Sequence, residues 1–451
     1  MKNQKAVARA AQTRIEVQQD LLGRLQRARD ESDRVFAQVK PEFLYERPIP
    51  ERHRIIFYIG HLEAFDWNLL RARVLKRISF HSEFDNLFAF GIDPVDGGLP
   101  SDQPSDWPTL DQVRDYVSHV RQALDDGLAA ATISQPSGPE GFAPNQLLNV
   151  AIEHRLMHAE TLAYMLHQLS FDHKVHKPRL PELVVRPITP RMVEIPAGNA
   201  TLGLARRPSS MFGWDNEYES HTVAVPAFAI DQYEVTNREY FQFLNAGGYQ
   251  NQALWSEANW KWKTQQDISH PAFWNHVSGE WQYRTMFESV PLPLDWPVYV
   301  SHAEAMAYTR WAGKGLPTEA QWHRAAYGTP KGTERPYPWG AQEPDRRFGN
   351  FDFESWDPTP VGAFRQGQSA FGVADLVGNG WEWTATVFAP FLGFKPFEFY
   401  PGYSANFFDG QHYVLKGGSA RTASCMLRRS FRNWFQPHYQ YVYAGFRCVR
   451  N

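Results

Sequence analysis

His154-Arg155-Leu156-Met157-His158-Ala159-Glu160 lies inside an unbroken helical pattern, Asn145 to Leu169, and sets two imidazoles one turn apart. Residues four apart on an α-helix share a face, so His154 and His158 can hold one metal ion between them. A third imidazole, His61, lies far upstream in Gly60-His61-Leu62-Glu63-Ala64-Phe65-Asp66-Trp67-Asn68. Supplied by a neighbouring helix, it would complete a facial set that leaves coordination positions open for chemistry. On spacing alone the pattern equally fits a metal-free surface or core pair, or a hydrolytic zinc site of three histidines and a water. Glu160, two positions past His158, is rotated away from the pair and reads as a group that supports or packs the helix.

Three more helical blocks precede this one, separated by polar or proline-rich breaks. The first runs from Thr13 to about Val39 and is stopped by Pro41; the second follows Pro48-Ile49-Pro50 and carries Ile55, Ile56, Ile59, His61, Leu62, Leu69 and Leu70. The third starts at Pro108-Thr109-Leu110-Asp111, which has the composition of a helix cap, and continues to about Ala131. Four helices of roughly 20 to 27 residues predict a bundle, a frame that builds metal sites from side chains on facing helices. Lys177 to Pro190 is proline-rich and reads as a linker. From Arg191 on, short strand-like segments alternate with turns and Trp and Gly clusters, with helices expected at Asn237 to Leu244 and Ser301 to Gly313. The expected class is α+β, divided at residues 1–176, 177–190 and 191–451.

Composition narrows the chemistry. A chain of 451 residues is long enough for two cores. With 46 Lys and Arg against 49 Asp and Glu, it lacks the basic surplus that nucleic-acid or anionic-membrane binding leaves, so the expected partners are small molecules. Two cysteines, Cys425 and Cys448, make no disulfide framework and no Cys-x-x-Cys motif; both read as small buried apolar groups. The polar stretch Met1 to Gln19 lacks the apolar core of a signal peptide, and no segment has the apolar length of a membrane span, which gives a cytoplasmic expectation.

The second half contains an ordered series of motifs: Val193-Glu194-Ile195-Pro196-Ala197-Gly198, Asp231-Gln232-Tyr233-Glu234-Val235-Thr236-Asn237 and Leu316-Pro317-Thr318-Glu319-Ala320-Gln321-Trp322. Tyr337-Pro338-Trp339-Gly340, Gly378-Asn379-Gly380-Trp381-Glu382-Trp383-Thr384, Lys416-Gly417-Gly418-Ser419 and Gly445-Phe446-Arg447-Cys448 follow. The series resembles the formylglycine-generating-enzyme-like domain, a variant of the C-type lectin fold. A DinB-like four-helix bundle with His-x-x-x-His-x-Glu ahead of such a domain resembles the EgtB family, the sulfoxide synthases of ergothioneine biosynthesis. That resemblance implies Fe(II) bound by His61, His154 and His158, and O2-dependent joining of a sulfur donor to C2 of the imidazole of hercynine. The formylglycine-generating enzyme itself is a poorer match, because its paired catalytic cysteines after Gly-Gly-Ser have no counterpart here.

For the chalcogen donor, the segment Leu87 to Trp107 holds no Arg, Lys or Tyr, whereas ergothioneine synthases resembling this chain often place such residues there to meet a donor carboxylate. Asp93 and Asp96, with Gln, Ser and Trp neighbours, suit a neutral polyhydroxylated ligand. This departure, with Tyr45-Glu46-Arg47-Pro48-Ile49-Pro50-Glu51-Arg52-His53-Arg54, resembles the selenoneine synthase (SenA) branch, whose donor is a selenosugar. Cysteine or γ-glutamylcysteine as donor, with Arg421, Arg428, Arg429 or Arg432 meeting its carboxylate, is the alternative, and a zinc-dependent DinB-type thiol transferase a further one. For hercynine, whose quaternary ammonium is recognised by aromatic faces, the candidates are Trp383, Phe388, Asn433, Trp434 and Tyr443, with Arg421 for the carboxylate; the resemblance to ergothioneine synthases implies Tyr403 as a proton or electron donor.

Overall fold

The computed structural model describes residues 2–89, 99–131, 144–177, 183, 185, 188–206 and 211–451. They fall into two compact units, Met1–Lys177 and Pro178–Asn451. The first is built on α1 (Lys2–Phe36), α2 (Ile55–Leu70), a short α3 (Ser82–Leu87), α4 (Leu110–Ala130) and α5 (Pro144–His167). α1 packs along α5, and α2 packs against both α4 and α5. Leu21, Leu25 and Val35 of α1, Ile56 and Leu62 of α2, Val120 and Leu124 of α4, and Ile152 and Leu162 of α5 are buried between them. The apolar rows at i, i+3 and i+4 that predict helices are therefore the rows that fill the core.

Local chemistry explains the boundaries. Thr109 caps α4 through a reciprocal bond with Gln112, which satisfies two of the orphan N–H groups of the first turn. α1 begins at Lys2, well before the expected Thr13, because the preceding Ala, Gln, Lys and Arg residues favour helix without needing an apolar face. α2, at 16 residues, is shorter than expected and ends where the Arg77 N–H turns back to the Arg71 carbonyl.

In the second unit, β1 (Met192–Ile195) and β12 (Val449–Arg450) flank β4 (Phe228–Asp231), both antiparallel to it. β2 (Gly198–Leu202) pairs with β3 (His221–Val225), and β5 (Trp274–Val277), β6 (Glu280–Arg284) and β7 (Ser289–Pro291) form a meander. A further sheet has the order β10 (Asn433–Phe435), β9 (Tyr413–Gly418), β8 (Gly380–Val387) and β11 (Ala444–Gly445), with β11 parallel to β8. Helices α6 (Asn237–Asn245), α7 (Glu257–Gln265), α8 (His302–Trp311) and α9 (Glu319–Tyr327) punctuate the strands. Capping boxes from Thr236, Ser301 and Thr318 start α6, α8 and α9.

The motifs meet in this unit's core. Glu382 of β8 accepts from Arg447 at 2.6 and 2.7 Å and from the Trp322 indole at 2.8 Å, which ties three separate motifs together. Glu234 and Asp375 share that interior; burial and the neighbouring Glu382 hold Glu234 well above the usual carboxylate range, and burial pushes Asp375 up to about 6. Cys448 is buried as expected, whereas Cys425 is half-buried. Among the described residues no helix is long and apolar enough to cross a membrane.

Candidate metal centre

α2 and α5 lie against each other in the bundle, and their histidines meet there. The ligand-capable nitrogens of His61, His154 and His158 lie within 4.8 Å of one another, and all three rings are buried. His154 Nε2 and His158 Nε2 are 3.2 Å apart. Two imidazoles on one ion with metal–nitrogen bonds of about 2.1 Å have nitrogens roughly 3 Å apart, so the donor set fits a divalent metal.

His61 Nδ1 donates to the Phe88 carbonyl at 2.7 Å. That bond fixes the tautomer, leaving Nε2 bare, and sets the ring plane. Gly60 makes the contact possible: a β-carbon there would stand 2.6 Å from the Phe88 ring. Phe65 stacks on His154 at a centroid distance of 3.4 Å and Phe57 on His61 at 4.9 Å, so aromatic faces hold the imidazoles on their apolar sides. Burial lowers the His61 imidazole to about 4 and holds His154 and His158 well below the ordinary histidine range. Three neutral imidazoles result, which is the protonation state metal binding requires. Glu160 is buried but lies outside the histidine group.

Beside the histidines runs a buried ionic web that charge spacing in the sequence did not mark. Arg155, 1% exposed, bridges Glu63 and Asp66 of α2. Arg121 of α4 joins Glu63 to Asp33 of α1. Glu63 and Asp66 lie within the quoted His61 stretch, but acids on a helix ordinarily read as a solvated face, and only packing reveals otherwise.

The Leu87 to Trp107 segment is described only in part, and Asp93 and Asp96 lie outside the described residues. Its described end is held from the preceding connection. Asp102 pairs with Arg47, and with Arg54 at 2.9 Å, and accepts from the Trp107 indole at 2.7 Å. The Trp107 ring in turn packs against Phe57 and Phe88. The segment carries no arginine of its own, yet two arginines from the stretch before α2 reach it.

In the second unit, Phe388, Tyr403 and Trp434 gather into one aromatic cluster. Phe388 stacks on Trp434 at 4.3 Å, and Tyr403 stacks on Trp214 at 3.9 Å and meets Trp434 edge-on at 5.4 Å. Asn433 precedes Trp434 on β10. Next to the cluster Asp215, pushed up to about 6 by burial, accepts from the Ser404 hydroxyl. Trp383, Tyr443 and Arg421 engage other partners: Trp383 donates to the Val300 carbonyl, Tyr443 packs with Tyr299, and Arg421 lies 3.9 Å over Trp356. Arg428 pairs with Glu217, Arg429 with Glu334 and Arg432 with Glu319.

Residues 24–162 match the DinB superfamily, and residues 178–451 match the sulfatase-modifying factor enzyme 1-like domain. The hercynine oxygenase of Mycobacterium tuberculosis strain H37Rv is 38% identical over 348 residues, which span 75% of this chain and 77% of that protein. Ergothioneine biosynthesis protein 1 of Neurospora crassa is 30% identical, over 93% of this chain and 56% of its own length. Among solved structures, PvdO from Pseudomonas aeruginosa aligns with 58% of this chain and 94% of its own at 22% identity, with a TM-score of 0.39. With both domain families present in this order and a relative 38% identical over 77% of its length, the chain belongs to the EgtB-like superfamily of oxidoreductases.

Proposed function

We propose that this protein is an iron(II)- and O2-dependent enzyme that joins a chalcogen to C2 of the hercynine imidazole. The observation that carries this reading is the convergence of three neutral, buried histidines in a chain whose relatives include proteins named hercynine oxygenase. Fe(II) held by His61, His154 and His158 would activate O2 and offer open positions to an anionic sulfur or selenium ligand, whose charge a neutral ligand set leaves to be supplied. The chain's own part is to orient that set. Phe88 fixes His61, Phe65 and Phe57 keep water off the ring faces, and burial keeps protons off the nitrogens. The Phe388, Tyr403 and Trp434 cluster, with Asn433, has the aromatic faces that a trimethylammonium group prefers. Within that cluster we assign Tyr403 the proton or electron donation.

For the donor we assign a selenosugar. The Leu87 to Trp107 segment lacks Arg, Lys and Tyr, and the guanidinium groups of Arg47 and Arg54 are engaged by Asp102 and by the Pro100, Asp102 and Tyr45 carbonyls. A donor carboxylate would have to displace those bonds, whereas hydroxyl groups would not. Cysteine or γ-glutamylcysteine is the competing donor, favoured by the names of the ergothioneine-pathway relatives. Aerobic incubation of iron-loaded protein with hercynine and each donor in turn, read by product mass, separates them. A selenium-containing hercynine adduct with the selenosugar supports the assignment, and turnover with thiol amino acids only overturns it.

A further inference from the structure

We propose that Arg155 is a positioning residue for the metal site, a guanidinium clamp that fixes where His61 stands relative to His154 and His158. The inference rests on the reading that these histidines hold a metal.

Its geometry is specific. Arg155 directly follows His154, and one of its guanidinium nitrogens donates to the carbonyl of Leu62, which directly follows His61, at 3.1 Å. The same guanidinium reaches Glu63 through two bonds of 2.9 Å and Asp66 through two, of 2.6 and 3.3 Å. Glu63 and Asp66 are three residues apart on α2 and so present neighbouring positions to one partner. The clamp therefore grips α2 one residue beyond His61 and α5 one residue beyond His154. Helix rise is about 1.5 Å per residue, so a slide of even one residue between α2 and α5 would break these bonds.

The web extends to the other long helices. Arg155 also contacts the Ser32 hydroxyl of α1 at 3.4 Å, and Arg121 of α4 bonds Glu63 at 2.8 Å and Asp33 of α1 at 2.7 Å. Three helices thus meet at one acid two residues from a histidine of the set, and α1 joins them through Asp33 and Ser32. Arg155, Glu63 and Asp66 are all 1% exposed or less. A buried ionic group is a poor means of stabilising a fold, because apolar replacements of the same volume are often as stable or more so. The best-attested use of such groups is to set register, and here the register is that of the histidines.

The test uses Co(II), whose ligand-field spectrum reports coordination geometry, on the full-length protein. Wild type should bind one equivalent, and His154→Ala should abolish binding; failure of either step overturns the metal reading itself. The triple variant Arg155→Met, Glu63→Gln, Asp66→Asn removes the clamp without leaving an unpaired buried charge. It should keep its circular dichroism and cooperative melting, while Co(II) affinity falls about tenfold to a hundredfold, the range for lost support of metal ligands, and the spectrum shifts. Arg155→Lys, which keeps the charge but not the two-armed bridge, should show a smaller loss in the same direction. A folded variant with wild-type Co(II) affinity and spectrum overturns the proposal. So does loss of the fold in both variants, since Arg155 would then determine the bundle and not the metal geometry.

Discussion

His61 carries the sharpest residue-scale consequence, because its burial can be read as a pH dependence. Its folded imidazole titrates at about 4, against 6.5 for the free group. Between those values the unfolded chain takes up the proton and the folded chain does not, so the contribution of His61 to apoprotein stability is present above 6.5 and lost as pH drops through 4. The loss from this residue alone is about 3 kcal/mol, with His154 and His158 adding in the same direction. Urea unfolding of the metal-free protein across that range should show the decline, and His61→Gln should make it shallower by the share of this residue; an unchanged slope would contradict the assignment. The histidines themselves were legible in the sequence, through a spacing of four and the ordered motifs around them. Arg155, Glu63, Asp66 and the Phe88 carbonyl were not, since nothing in a run of helical residues says which charges are sealed in the core or which backbone oxygen meets a ring.

Within the bundle, α2 depends on one close approach. Gly60→Ala would push a methyl group into the Phe88 ring, whose carbonyl orients His61. Overpacking costs about 1–3 kcal/mol, offset by about 1 kcal/mol of gained helix propensity. The expected net result is a modest drop in melting temperature with a disproportionate loss of metal affinity, measured together by calorimetry and metal titration. A variant with both values unchanged would mean that Phe88 adjusts freely. At α9, Thr318→Ala removes a capping box and should cost about 1 kcal/mol in denaturant unfolding without touching metal binding. Such caps are visible in sequence as Thr or Ser followed three residues later by Gln or Glu; the cap composition at Thr109 marked the start of α4, whereas α9, with the same signature at Thr318, was not expected as a helix. The start of α1 was less legible, because helix formers without an apolar face leave no periodicity to read. Strand pairing, such as the parallel contact of β11 with β8, depends on residues more than sixty positions apart and has no local signature.

For the molecule as a whole, the second unit has a stability ledger of its own in three buried acids and one arginine. Glu234, Asp375 and Glu382 surround Arg447, and among the described residues neither oxygen of Glu234 has a hydrogen-bond partner. A carboxyl whose folded titration point is raised contributes stability that is present below its unfolded value and lost as pH rises through the folded one. Glu234→Gln should therefore leave the melting temperature near pH 5 almost unchanged and raise it near pH 8; a fall at pH 8 would show that an ionised Glu234 holds the core together. The division into a bundle and a motif-rich second unit was readable from periodicity and motif order, whereas the chemistry of the donor was readable only in part. The central claim, oxygen-dependent chemistry on hercynine at the three histidines, is tested most directly by hercynine consumption in iron-loaded and zinc-loaded protein, with and without O2, in the presence of the donors. The account predicts consumption only with iron and O2 and none in His154→Ala. Equal consumption with zinc, or without O2, would contradict it.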